Sequence, residues 1–333
     1  MFTPINVKNN YRCLSHPLHP SVVYTKNGVG GHHFWMAQTP FPPYEVLPYR
    51  DRYELPCIHY SDDGKNWQPI PGNPIEDLLP DEIEQRNFYS DPHLILKEGK
   101  LELYYRYTIL KDKQLLGNKT LLYRRTSSDG FCWSEKECIA DLRLDNDVEI
   151  WGNQIISQAL VWTGTHYICW YVDGSGYVKD RHVRMVTSVD GIKWEKSTLC
   201  IIDGIVFSPW HIDVQYHDGV YIMMCYLRTN KLICLDSADG IRFVFKGVVL
   251  TPSKSRFSFF SHGLYRSCSV KVDDNYYVYF SAKTSNKESI GLLKTKDFVS
   301  YQHINGIHFG KYIMIEILSF FQRAMWKIRR MFY

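Results

Sequence analysis

Short runs in which apolar and polar residues alternate, closed by clusters of Gly, Pro, Asn, Asp and Ser, follow one another along most of the chain. A two-residue period places successive side chains on opposite faces of an extended strand, so the body of the protein is predicted to be all-β. The runs come in a fixed order. An inner-type segment (Pro20–Tyr24, Asp91–Leu96, Ser157–Trp162, Ile212–Tyr216, Ser267–Val272) is followed by a strand dense in aromatic and β-branched residues (His33–Gln38, Leu101–Tyr107, Tyr167–Val172, Val220–Leu227, Tyr276–Ala282). A third run, such as Leu121–Thr126 or His182–Thr187, enters a turn of the form S-x-D-G. A fourth, such as Trp194–Ile202 or Phe243–Leu250, leaves it.

That turn is a repeat. S-x-D-G-x-x-aromatic stands at Ser61/Asp63/Gly64/Trp67, Ser127/Asp129/Gly130/Trp133, Ser188/Asp190/Gly191/Trp194 and Ser237/Asp239/Gly240/Phe243, with a worn fifth copy at Asp297/Tyr301. The aspartates are 66, 61, 49 and 58 residues apart, the length of a four-stranded sheet. Gly supplies the positive φ of a tight turn, the Asp and Ser oxygens accept backbone N–H groups, and the aromatic re-enters the core. Five units of four strands predict a five-bladed β-propeller over residues 1–310. A β-sandwich with coincidental turns is the competing architecture, and the fivefold recurrence disfavours it. Two Pro-rich stretches, Thr39–Pro48 and Gln68–Pro80, read as loops rimming one face of the disc.

The last residues break the pattern. On a helical wheel 311–333 gathers Ile313, Met314, Ile317, Leu318, Phe320, Phe321, Ala324, Met325, Ile328, Met331 and Phe332 on one face, and Lys311, Glu316, Ser319, Gln322, Arg323, Lys327, Arg329 and Arg330 on the other. Five bases and one acid give the segment +4, the formal charge of the whole chain, so the propeller is neutral and nucleic acid is not an expected partner. A basic amphipathic helix reads as an interfacial one. Phe320, Phe321 and Trp326 would enter an anionic membrane surface while Arg323, Lys327, Arg329 and Arg330 meet headgroup phosphates. A helix clasping the propeller or a dimer partner is the alternative. Residues 1–12 hold no apolar signal core, and the nine cysteines are scattered without a C-x-x-C pair. A cytoplasmic protein with reduced thiols, no metal and no cofactor is therefore expected, peripheral on the inner membrane face.

In a propeller the starts of the inner strands converge on the central channel. Those positions hold His16 and His19, Asp91 and His93, Ser157 and Gln158, His211 and Asp213, and Arg266 and Ser267: a polar ring that recurs blade after blade. The segments His19-Pro20-Ser21-Val22-Val23-Tyr24, Ser90-Asp91-Pro92-His93, Trp210-His211-Ile212-Asp213-Val214 and Tyr265-Arg266-Ser267, with the S-x-D-G tips, resemble the five-bladed propeller glycosidases of the arabinanase, xylosidase and invertase-like group. The resemblance spans about residues 15–305. It implies three carboxylates around the channel: a base or nucleophile on the first inner strand, an orienting Asp on the second and a general-acid Glu on the third.

Asp91 matches the second of these, and Asp213 has the look of an inner-strand Asp in the fourth blade. His19 stands where the first Asp is implied, and Ser157 and Gln158 where the acid is. Glu54 and Glu149, on loops, are the carboxylates that could take the missing places. His19 or His211 would act as acid, base or hydroxyl-orienting group. His93, Ser157, Gln158, His211 and Arg266 would bind substrate, the arginine fixing a charged or diol group. The expected function is a carbohydrate-active enzyme, by hydrolysis or glycosyl transfer, on a surface-polysaccharide or lipid-linked glycan at the cytoplasmic membrane face. A non-catalytic saccharide-binding scaffold is the alternative, and a sialidase-like hydrolase a weaker one.

Overall fold

The computed structural model describes residues 2–9, 16–41, 54–111, 114–174, 181–206, 209–227, 229–255, 257–285 and 287–330, the side chains of 114–117, 322, 323, 326, 329 and 330 excepted. Strand β1 (Asn6–Val7) precedes a first blade of β2 (His16–Val29), β3 (His32–Phe41), β4 (Cys57–Ser61) and β5 (Asn66–Pro69). After helix α1 (Pro80–Glu84) comes a second blade, β6 (Phe88–Lys97), β7 (Lys100–Lys111), β8 (Gln114–Ser127) and β9 (Glu137–Asp141). Helix α2 (Asp145–Trp151) leads to the third, β10 (Ile156–Trp162), β11 (Tyr167–Asp173), β12 (His182–Ser188) and β13 (Thr198–Leu199). Strand β14 (Ile201–Asp203) joins the outer edge of the fourth, β15 (Pro209–His217), β16 (Val220–Leu227), β17 (Lys231–Ser237) and β18 (Arg242–Leu250). The fifth is β19 (Gly263–Val272), β20 (Asn275–Lys283), β21 (Glu288–Thr295) and β22 (Gln302–Ile304), and helix α3 (Phe309–Arg330) follows. The protein is a five-bladed β-propeller of four-stranded antiparallel blades with a C-terminal helix.

Alternation along each strand explains the density of aromatic residues. In β7, Leu101, Leu103, Tyr105 and Tyr107 enter the core shared with the first blade, whereas Tyr104 enters the core shared with the third. In β11, Ile168, Trp170 and Val172 face the fourth blade, and Tyr167, Cys169 and Tyr171 face the second. Each sheet is thus buried on both faces, and both halves of the two-residue period must be apolar. The first residues close the ring: β1 pairs in parallel with β5 (Asn6 opposite Asn66), while the Ile5 N–H donates to the Ile290 carbonyl of the fifth blade at 2.9 Å.

Two details differ from the sequence reading. The fourth strand of the third blade, expected over Trp194–Ile202, is reduced to β13, because buried Cys200 turns inward and Ile201–Asp203 crosses to pair in parallel with Arg242–Val244 of the next blade. The inner strands also begin earlier than expected, at His16, Phe88, Ile156, Pro209 and Gly263. His19-Pro20 and Asp91-Pro92 read as strand starts because proline cannot donate to a ladder. Both instead sit at bulges, where the ladder is interrupted anyway.

The antiparallel order fixes which end of the blades is which. The first hairpins, at Gly99, Gly219 and Asp273, and the S-x-D-G tips share one end of the disc. The inner-strand starts and the blade-to-blade crossings share the other.

Candidate functional site at the channel mouth

All five inner strands slip register at the same level: between Leu18 and Ser21, Ser90 and His93, Ile156 and Ala159, Pro209 and His211, and Leu264 and Ser267. At three of these bulges a non-glycine residue sits in the left-handed region: His19 (φ 55), Asp91 (φ 52) and Ser157 (φ 53). Such a conformation is costly, and bulges of this kind re-aim side chains. Here they bring His19, Asp91, His211 and Arg266 from four blades to one point.

Asp91, His19 and Arg266 each have one atom held by the protein and another left open, and His211 has both ring nitrogens open. The Asp91 Oδ2 accepts from Arg106 Nε at 2.6 Å and from the Ser157 N–H at 3.1 Å, while Oδ1 has no hydrogen-bond partner. Nδ1 of His19 lies 2.6 Å from the Thr39 hydroxyl, and its Nε2 is unpartnered. Both ring nitrogens of His211 are unpartnered, Nδ1 standing 3.5 Å from Asp91 Oδ1. One ligating atom from each of His19, Asp91 and His211 lies within 4.8 Å of the other two, in a fully buried setting. Arg266 donates from Nη2 to the Gln158 carbonyl at 3.2 Å, and its Nη1 stands 3.8 Å from Asp91 Oδ1.

The charge states follow from burial and these neighbours. Burial pushes His19 down to about 3, against the opposing pull of Asp91, and carries His211 well below the ordinary histidine range. Burial alone would raise Asp91, but Arg106 and the other cationic neighbours outweigh it and hold the carboxyl far below the usual carboxylate range. At neutral pH the cluster is two neutral imidazoles and one carboxylate. Those are the protonation states in which His and Asp bind a divalent cation, and a two-histidine, one-carboxylate set suits zinc or manganese. The sequence reading expected no metal here; this donor set is one that could hold one.

The other expected site residues are distributed differently. Glu54 is at the mouth, with Oε2 3.5 Å from His19 Nδ1. Glu149 is not: it lies on the outer side of α2, largely exposed and paired with Lys196 at 3.4 Å, because the α2 turn aims it at solvent. Asp213 is fully buried one step further down the channel, 3.5 Å from His93 Nδ1, accepting from the Ser269 N–H, and burial raises it to about 6. His93 donates through Nε2 to the Leu160 carbonyl at 2.9 Å in that lower layer. Ser157 bonds the Ile212 backbone through its hydroxyl, and Gln158 donates to the Asp91 carbonyl, so both are committed to holding the blades together. His16 pairs with Glu288.

Several contributors escaped the sequence reading. Arg106 and Thr39 fix Asp91 and His19 from second strands. The available signal for Arg106 was a lone charge between Tyr105 and Tyr107 in an aromatic strand. Beside the cluster stands an aromatic wall: Tyr265 meets His211 at 4.3 Å and His19 at 5.1 Å between ring centroids, Trp210 Nε1 donates to its hydroxyl at 2.7 Å, and Arg181 stacks on Trp210 at 3.7 Å.

Helix α3 starts at Phe309, two residues before the expected boundary, and its first turns pack on the propeller. Buried Tyr312 joins the core of the fifth blade, with Ile313 and Ile315 packed against it. Glu316 accepts from the Thr284 hydroxyl at 3.3 Å, and Ser319 is buried. Met314, Ile317, Leu318, Phe320, Phe321, Met325 and Ile328 are exposed, as is Lys327. The side chains of Arg323, Trp326, Arg329 and Arg330 lie outside the described residues. No helix among the described residues is long and apolar enough to cross a membrane.

No protein-family model and no curated protein matches the chain. Solved structures do. An N-acetylgalactosamine deacetylase from F. plautii, in complex with blood group B trisaccharide, superimposes with a TM-score of 0.68 at 21% identity, over 88% of this chain and 94% of that one. CoXyl43, a GH43 β-xylosidase/α-arabinofuranosidase from a compost microbial metagenome in complex with xylotriose, gives 0.61 at 12% identity over 92% and 98%. A GH43 enzyme from Xanthomonas citri gives 0.58 at 12% over 87% and 92%. The fold is that of the five-bladed propeller glycoside hydrolases. At these identities the likeness is one of fold, and the chemistry has to be argued from the mouth itself.

Proposed function

We propose that this chain is a carbohydrate-active hydrolase whose chemistry rests on a divalent cation held by His19, Asp91 and His211. The observation that carries the reading is the convergence of three buried ligating atoms within 4.8 Å, His19 and Asp91 each having their other side-chain atom already bound by the protein. A cation there would polarise a substrate oxygen and lower the pKa of a bound water. The chain's own residues do the rest. Arg106 and the Ser157 N–H keep Asp91 ionised and aimed, and Thr39 fixes the His19 ring. Glu54, 3.5 Å from His19 Nδ1, borders the side of that ring which Thr39 holds, Arg266 is placed to meet a developing oxyanion, and Trp210 with Tyr265 to pack a sugar ring.

This constellation suits attack on the carbonyl of an acyl substituent of a sugar, and the deacetylase activity named for the F. plautii neighbour supports that bond class. Glycoside hydrolysis or transfer is the second reading, favoured by Asp91 and Glu54 both bordering His19 and by the GH43 enzymes among the neighbours. The basic, outwardly apolar α3 supports a surface-polysaccharide or lipid-linked glycan as substrate at the cytoplasmic membrane face, and the eight described cysteines, all free, accord with a reducing compartment.

The test is incubation of the protein with N-acetylated and O-acetylated oligosaccharides, read by mass spectrometry. Loss of acetyl groups that stops on chelation and returns with zinc or manganese is expected. Cleavage of glycosidic bonds indifferent to chelator, and abolished by Asp91→Asn or Glu54→Gln, would replace the first reading by the second. Saccharide binding without any turnover would make the protein a scaffold.

A further inference from the structure

The turn that holds α3 belongs to the mouth. Thr284, which bonds Glu316, and Lys287, which lines a groove with Ile315, Leu318 and Ser319, lie in the β20–β21 connection, at the end of the blade where β19 begins and Arg266 stands. Lys283, the last residue of β20, places its ammonium 4.9 Å above the ring of Tyr265, part of the aromatic wall. The same groove includes His16 and Pro17, at the start of the strand that carries His19. The seam between helix and propeller is made by Tyr312, Ile313, Ile315, Glu316 and Ser319, and the apolar row Met314, Ile317, Phe321, Met325 and Ile328 is exposed.

We propose that α3 docks on an anionic bilayer with the mouth-bearing face of the propeller turned toward it, so that the site meets a glycan carried on the same membrane. This rests on the carbohydrate reading above for the identity of what is presented, but the docking does not. Charge decides the occupant. Residues 311–333 carry five bases and one acid, so pairing the helices of two copies would bring two +4 segments together, whereas an anionic lipid surface neutralises them. Seven large apolar side chains exposed on one helix also give the area that interfacial binding needs.

The experiment is flotation of the full-length protein with vesicles of phosphatidylcholine and phosphatidylglycerol, followed by hydrogen exchange on the bound protein. Binding that rises with phosphatidylglycerol and falls with salt is expected. Phe320→Glu/Phe321→Glu should weaken it about a hundredfold while leaving the melting temperature in place, since both rings are exposed. On vesicles, exchange should slow in α3 and in the 284–287 turn, and stay unchanged in the hairpins at 98–100, 218–219 and 273–274 of the opposite face. Wild-type protein that stays with the soluble fraction overturns the proposal. So does a dimer that the double variant converts to monomer, or slowing confined to the opposite hairpins. None of these readouts depends on turnover, so docking and hydrolysis can fail separately.

Discussion

The two ends of the blades handle polar groups in opposite ways. At the S-x-D-G tips the turn satisfies itself: the Ser127 hydroxyl accepts the Gly130 N–H at 2.8 Å, Asp129 Oδ1 accepts those of Phe131 and Cys132 at 2.8 Å each, and the same pattern returns at Ser188/Asp190 and Ser237/Asp239. At the mouth, the bulges leave open atoms on His19, Asp91, His211 and Arg266 in a buried setting, where an unmet polar group costs free energy. The tips hold the fold by closing their own bonds locally. The mouth forgoes that closure, and a ligand that completed it would recover the cost.

Substitutions at the two ends should therefore fail in different currencies. The largest effect on stability is expected from Gly130→Ala: φ is +78 and a Cβ there would lie 2.1 Å from the Trp35 ring, so about 3 to 5 kcal/mol of stability should be lost in denaturant unfolding. His211→Gln should do the reverse, lowering zinc or manganese affinity more than about a hundredfold in calorimetric titration while leaving the unfolding midpoint within experimental scatter, because neither ring nitrogen has a protein partner to lose. A large loss of stability in His211→Gln would break the comparison. Ser188→Ala at a tip should cost about 1 kcal/mol, the worth of one local hydrogen bond, with metal affinity unchanged.

A smaller, pH-dependent contrast follows from the same chemistry. Burial holds His59 and His217 down to about 4, so the unfolded chain takes up protons before the folded one does. Their stabilisation is complete above the ordinary histidine value of about 6.5 and is lost as pH falls through about 4. The tip aspartates, lowered chiefly by backbone N–H groups as at Asp129, Asp190 and Asp239, stabilise above the ordinary carboxylate range and weaken only as pH falls below it. Denaturant midpoints followed from neutral to acid pH should show the histidine decline first, and His59→Gln should flatten it.

That division also explains what the chain could tell in advance. A tip is a four-residue device whose donors, acceptors and positive-φ glycine are neighbours in sequence, so four copies and a worn fifth were enough to count the blades. The mouth is assembled from residues on separate blades, and each looks ordinary in its own segment. His19, Asp91, His211 and Arg266 could be picked out because they recur at equivalent strand positions. Their grouping into a ligand set depends on bulges that leave no mark beyond His19-Pro20 and Asp91-Pro92, and on Arg106 and Thr39 reaching in from other strands. Glu149 shows the limit from the other side. A carboxylate just before an inner strand seemed placed for the channel, yet a seven-residue helix was enough to turn it to solvent. For α3 the wheel put Ile313 with the outward apolar face and Glu316 and Ser319 on the polar one, whereas the propeller holds all three, together with Tyr312 and Ile315.

The central claim is that the mouth is completed by a divalent cation, and diffraction from crystals grown with manganese tests it most directly. An anomalous peak among His19, Asp91 and His211, absent from His211→Gln crystals grown in the same way, is the predicted result. A wild-type map with manganese bound elsewhere and no peak between those three side chains would contradict the account.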